Sequence, residues 1–208
     1  MQIDYTEEIK RKLVHLSSLW MVAATLLMAE RQWICVSLFT ALLLLTLISE
    51  HDYAGGGRYL GRLYGKLFGR MLRSEVKPGQ WVVSGGAPVL AAAAVVNILF
   101  VPSTAAAALA VMLTGDAAAA LVGRKFGVHK IVNGKSWEGF LSFVAVGFGA
   151  LSLVLWISGA EKFFYPAGFC AVVLAGIAEL FQKQLKIDDN FSIPLCVGGV
   201  LFLASLIM

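Results

Sequence analysis

Charge is what this sequence has least of. Of its 208 residues, 59% are hydrophobic and only 14% are charged, whereas a water-soluble domain carries about 25% charged residues. An ordinary soluble domain is therefore excluded. Cysteine is scarce too. Cys35, Cys170 and Cys196 lie inside apolar stretches at no metal-ligand spacing, and they read as apolar filler. No small-x-small cleavage site follows the first apolar stretch. Lys10, Arg11 and Lys12 therefore lead into an uncleaved helix rather than a signal peptide.

What is abundant is long apolar sequence. A membrane-spanning helix needs about 20 mostly apolar residues. Candidate spans are residues 13–29, 33–49, 81–101, 103–123, 140–158, 165–182 and 192–208. The expected fold is all-α: one polytopic bundle of about seven transmembrane helices over residues 1–208. If loops alternate sides, all Lys and Arg except Arg31 and Lys162 fall on one side. The positive-inside rule then places the N-terminus and the long loops in the cytoplasm. The expected location is the cytoplasmic membrane of a bacterium. The net charge of +4 belongs to this basic face and does not point to nucleic acid. It suits anionic membrane lipids and a nucleotide.

Three polar segments interrupt the apolar blocks. Glu8, Arg11, Lys12 and His15 would share one face of a helix, either solvated among headgroups or functional. In the 50–80 loop, a four-residue repeat sets glycines at 57, 61, 65 and 69 beside basic residues at 58, 62, 66 and 70. Glycine in a helix costs about 1 kcal/mol relative to alanine. Close packing of another helix on the glycine row would offset that. The basic and apolar rows suit an amphipathic helix lying in the membrane interface. Arg73 and Glu75 follow it, then Gly85-Gly86 and Pro88, which suggest a broken or closely packed helix.

The third segment is the focus. Asp116 lies in an alanine-rich span, and an intramembrane carboxylate marks a functional site by default, unless it only makes a structural hydrogen bond to a neighbouring helix. Small residues around it would leave space for a ligand. The loop that follows holds Gly123, Arg124, Gly127, Lys130, Gly134, Lys135, Ser136 and Glu138. Its Gly-Lys-Ser is not a P-loop, because His129 stands where the first glycine is required and no strand precedes it. The helix opening at Ser136 would still offer backbone N–H groups to an anion, unless Ser136 is only an N-cap and Glu138 only a dipole-favoured carboxylate. Farther on, Glu179 lies near the cytoplasmic end of its span, and the loop pair Asp188-Asp189 returns to the face that holds Asp116, Glu75 and Lys135. Acidic residues there make a metal site plausible, and magnesium favours a few carboxylates plus substrate phosphates.

E-x-x-R-K-x-x-H at Glu8–His15, Arg73-x-Glu75, GDAAAALVGRKFG, GKSWEG and DDNFSIP together resemble the membrane CTP-dependent lipid kinases: dolichol kinase, phytol kinase and the yeast-type diacylglycerol kinase. GRKFGVHK…GKSWEG is also similar to the CDP-diacylglycerol synthases, but their later PGHGG signature and Asp-Arg pair are missing. The resemblance implies transfer of the γ-phosphoryl group of CTP to a lipid alcohol with a divalent metal, Mg2+. It implies Asp116, Lys135 and Glu138 as catalytic residues and Asp116, Glu75 and Asp189 as metal ligands. Nucleotide binding would fall to Arg73, Gly123, Arg124, Gly127, Lys130, Gly134 and Ser136, with the lipid tail along the alanine-rich span. A homodimer stays open. The alternatives are a cytidylyltransferase and a small ion-coupled transporter or scaffold. A transporter would place its acids at the bilayer midplane and often repeat its spans, whereas here they cluster near one interface.

Overall fold

The computed structural model describes residues 5–57, 60–68, 83 and 85–207. Within them the chain is helical, with no β-strand. The centre of the bundle is α6, Pro102–Phe126, with its proline in the first turn, where the missing N–H costs nothing. Every side chain from Ala105 to Leu113 is buried. Alanine and glycine make this possible by letting neighbouring backbones close in. Alongside runs α7, Trp137–Ile157. A methyl on its Gly139 would come within 3.0 Å of the Ala119 carbonyl oxygen, and Gly115 sits under the ring of Phe143. At these glycines α6 and α7 are in close contact.

The expected first span, 13–29, is two helices. They are α1, Tyr5–Ser17, and α2, Trp20–Leu27. At the break the Ser17 hydroxyl donates to the Val14 carbonyl at 2.6 Å, and Ser18 N–H donates to the His15 carbonyl at 3.1 Å. Serine hydroxyls compete for backbone groups in this way and end or bend helices. α1 runs antiparallel along α6, since residue 8 meets residue 124 and residue 12 meets residue 116, and α2 also packs against α6. A 3-10 turn, Ala29–Arg31, then leads into α3, Gln32–Ala54.

Of the glycine row, Gly61 and Gly65 pack as expected, whereas Gly57 precedes the helix with φ of 67° and Gly69 lies outside the described residues. In α4, Leu60–Phe68, a methyl on Gly61 would lie 2.4 Å from the backbone nitrogen of Tyr53, and one on Gly65 would lie 2.5 Å from the Tyr53 ring. Gly61 N–H donates to the Asp52 carboxylate at 2.7 Å. Next comes α5, Gly86–Leu99. The Gly85-Gly86 pair marks the start of this helix, not a break within it, and Pro88 stands in its first turn. Trp81, Val82 and Ser84 lie outside the described residues.

The chain closes with α8, Phe164–Leu180, the short α9, Gln182–Leu185, and α10, Asp189–Ser205. Asp188 caps α10 by accepting from Asn190 N–H at 3.0 Å. Three segments, Ala29–Ala54, Pro102–Phe126 and Trp137–Ile157, are long and apolar enough to cross a membrane. Three more helices, α5, α8 and α10, are apolar but shorter. Outward faces carry Leu44, Ile48, Leu141, Leu153 and Leu203, all exposed. Exposed Trp33 and Trp156 stand at one end of the bundle and Trp137 at the other, in the manner of aromatic belts.

Candidate active site: a buried charge cluster

Asp116 is buried at the face where α1 meets α6. Lys12 Nζ donates to its Oδ2 at 2.6 Å, and His15 Nε2 lies 3.4 Å from the same oxygen. Lys12 and His15 are almost one turn apart on α1. One turn earlier, Glu8 accepts from Arg11 at 2.7 Å and from Arg124 at 3.1 Å. Glu8 and Lys12 are only 5% and 6% exposed, so this face of α1 turns inward. The solvated reading holds for Arg11 alone, whose side chain remains half exposed. Breaking one partner out of a buried pair costs about 3–5 kcal/mol, so this contact ties the N-terminal helix to the bundle centre.

A second pair joins from the other side. Lys135 Nζ bonds the Glu179 carboxylate and donates to the Glu179 backbone carbonyl, the latter at 2.7 Å. The loop that delivers Lys135 is a tight hairpin. Lys130 and Ser136 bridge antiparallel, and Ile131 N–H donates to the Lys135 carbonyl at 2.9 Å. At its tip Asn133 and Gly134 have φ of 57° and 80°, the conformation Asn-Gly adopts most readily. Asn133 Nδ2 donates to the Leu180 carbonyl at 2.9 Å and to Gln184 at 2.7 Å, pinning the tip to the end of α8.

Asp116 lies within electrostatic reach of Lys135 as well as Lys12. Asp189, at the start of α10, lies within reach of Asp116, Lys12 and Lys135. The cluster therefore sets Glu8, Asp116, Glu179 and Asp189 against Arg11, Lys12, Arg124 and Lys135, with His15 beside them.

Of the expected site residues, the fold brings Asp116, Lys135 and Asp189 within electrostatic reach of one another, while Arg124 pairs with Glu8 farther along α6. Glu138 goes elsewhere: its carboxylate bonds the His129 ring at 2.7 Å and accepts from His129 N–H at 3.2 Å. Ser136 is the N-cap of α7, accepting from Gly139 N–H at 3.2 Å, and it is buried. Trp137 N–H is taken by the His129 carbonyl at 3.0 Å. The anion site expected at this helix start is thus occupied by the chain's own cap and hairpin. Lys130 is exposed on the hairpin flank. Gly127 serves close approach, since a methyl there would lie 2.4 Å from Ser136 Oγ, and Gly123 touches Gly139 across α6 and α7. Gly134 serves the turn. Arg73 and Glu75 lie outside the described residues. Sequence reasoning missed Lys12, His15, Glu8 and Glu179 as members of the site, although the shared face of residues 8, 12 and 15 was the available signal. Among the described residues no three His, Cys, Asp or Glu side chains converge as a metal-ligand group. The expected trio is represented there by Asp116 and Asp189.

No protein-family model matches the chain, and no solved structure matches it. It is 28% identical over 207 residues to an uncharacterized protein of Rickettsia prowazekii (strain Madrid E), covering 96% of each chain.

Proposed function

We propose that the protein is a polytopic membrane phosphotransferase that moves the γ-phosphoryl group of CTP to the hydroxyl of a membrane lipid alcohol. The observation that carries this reading is the two neighbouring ion pairs at one end of the bundle, Lys12 with Asp116 and Lys135 with Glu179, with Asp189 within electrostatic reach of both. Phosphoryl transfer needs positioning and charge neutralisation more than a covalent nucleophile. A store of paired cations suits that need. Lys12, Lys135 and Arg124 pass from carboxylate to phosphate oxygens as the nucleotide enters, so each exchanges one anionic partner for another. Asp116, released by Lys12, accepts the hydrogen bond of the lipid hydroxyl and orients it. The lipid oxygen then bonds to the γ-phosphorus, its proton passing to the Asp116 carboxylate, as the bond to the departing CDP oxygen breaks. Asp188 serves as a cap and stays outside the chemistry.

The carboxylates of Asp116 and Asp189 are hard oxygen donors, and they fit Mg2+, which keeps waters and takes phosphate oxygens as ligands. Bound there, the ion would neutralise phosphate charge. In this reading the chain crosses the membrane seven times, α1 and α2 together forming the first crossing. The basic end, with the cluster, faces the cytoplasm.

The test uses purified protein with CTP labelled at the γ-phosphate and a panel of polyprenol, phytol and diacylglycerol acceptors, with ATP as the comparison donor. Label in the lipid with release of CDP is expected. Label in pyrophosphate would instead make the protein a cytidylyltransferase, and no turnover with any acceptor would sink both.

A further inference from the structure

We propose that α4 is a binding surface for anionic phospholipid headgroups of the bilayer that holds the protein. The helix has three faces. One, carrying Gly61, Tyr64 and Gly65, is committed to α3: Gly61 lies on the Tyr53 backbone and Gly65 on the Tyr53 ring, and Tyr64 OH donates to Glu50 at 3.2 Å. Those contacts fix the rotation of α4 about its own axis. They leave Arg62 and Lys66 exposed together on a second face. Leu60 and Leu63, 39% and 56% exposed, form the third face, roughly 100° around the helix from the basic one.

Between Leu60 and Phe68 there is no acidic residue. The helix is tied to Asp52 and Tyr53, in the last turn of the apolar segment Ala29–Ala54. On the membrane reading of that segment, on which this proposal rests, α4 lies at the bilayer surface. An apolar row beside a cationic row is the arrangement of a helix lying in the interface. The leucines reach the acyl boundary while Arg62 and Lys66 meet headgroup phosphates. A lipid phosphate fits better than a free one, because the leucines need hydrocarbon beside them. In sequence the four-residue repeat also includes Arg58 and Arg70, which lie outside the described residues.

Electron paramagnetic resonance with spin-labelled phosphatidylglycerol and phosphatidylcholine, on the full chain in vesicles without nucleotide, measures the relative association of the two lipids. Wild type should prefer phosphatidylglycerol, and salt should weaken that preference. Arg62→Gln with Lys66→Gln should lower it by up to roughly fivefold per charge. Arg62→Lys with Lys66→Arg should retain it. The control pair Lys183→Gln and Lys186→Gln removes two exposed charges from the same end of the bundle and should have the smaller effect. An equal effect of the control pair, or an unchanged preference in the α4 pair, overturns the proposal. Because the assay contains no CTP, its failure would leave the phosphotransferase reading as it stands.

Discussion

Lys12 and Asp116 stand 104 positions apart in sequence and 2.6 Å apart in space. Neither makes sense alone at this depth. Asp116 is seven residues before Gly123, which at 1.5 Å per residue puts it about 10 Å along the helix. Their coupling is testable. Lys12→Met should destabilise by about 3–5 kcal/mol because it strands a buried carboxylate. Adding Asp116→Asn should restore most of that stability, as a double-mutant cycle followed by thermal unfolding in detergent would show. Additive losses would deny the coupling. The restored double variant should nevertheless transfer phosphoryl groups at least ~10²-fold more slowly than wild type, in line with loss of a positioned acid–base group. Near-normal turnover would remove Asp116 from the mechanism and leave the pair a structural one.

Glycine decides how the elements meet. Two glycines that look alike in sequence do different things. Gly61 has the Tyr53 backbone against it, whereas Gly149 in α7 has nothing within 4 Å of an added methyl. Gly61→Ala should therefore cost about 1–3 kcal/mol through overpacking. Gly149→Ala should be neutral or gain up to about 1 kcal/mol from helix propensity. Thermal unfolding of the two variants side by side checks this, and equal shifts would show that contact on the glycine row is incidental. The same scale explains the hairpin before α7. Its Gly-Lys-Ser resembles a phosphate loop in letters, yet Ser136 is spent on capping and Lys135 on Glu179. The cations of the site arrive by side chain, and the backbone N–H groups at this helix start are already engaged.

At the scale of the molecule, the polar residues separate to the two ends of an apolar bundle. Gln32 Nε2 donates to the Phe100 carbonyl at 2.6 Å, closing one end near Arg31. The charge cluster and the basic hairpin close the other. The proposed orientation requires Lys130→Cys and Arg62→Cys to react with an impermeant maleimide from the cytoplasmic side, and Lys162→Cys from the opposite side. Labelling Lys162→Cys and Lys130→Cys equally from one side would refute the seven-crossing arrangement.

Composition and spacing alone determined the all-helical class, the apolar helices and most of their bounds, because burying a helix in a bundle or bilayer demands long apolar runs that are visible in one dimension. The four-residue glycine period also declared its packing face in advance, since residues four apart fall on one side of a helix. Asp116 and Lys135 stood out because charge is rare in such surroundings. Only the tertiary structure decided which charges pair. Glu8, Arg11, Lys12 and His15 form one pattern that a headgroup-facing or an inward-facing helix would share, and it is the approach of α1 to α6 that buries Glu8 and Lys12. The tertiary structure likewise turned Glu138 toward His129 and Glu179 toward Lys135. Local sequence cannot choose between them, because ion pairing depends on distances that loops and helix crossings set.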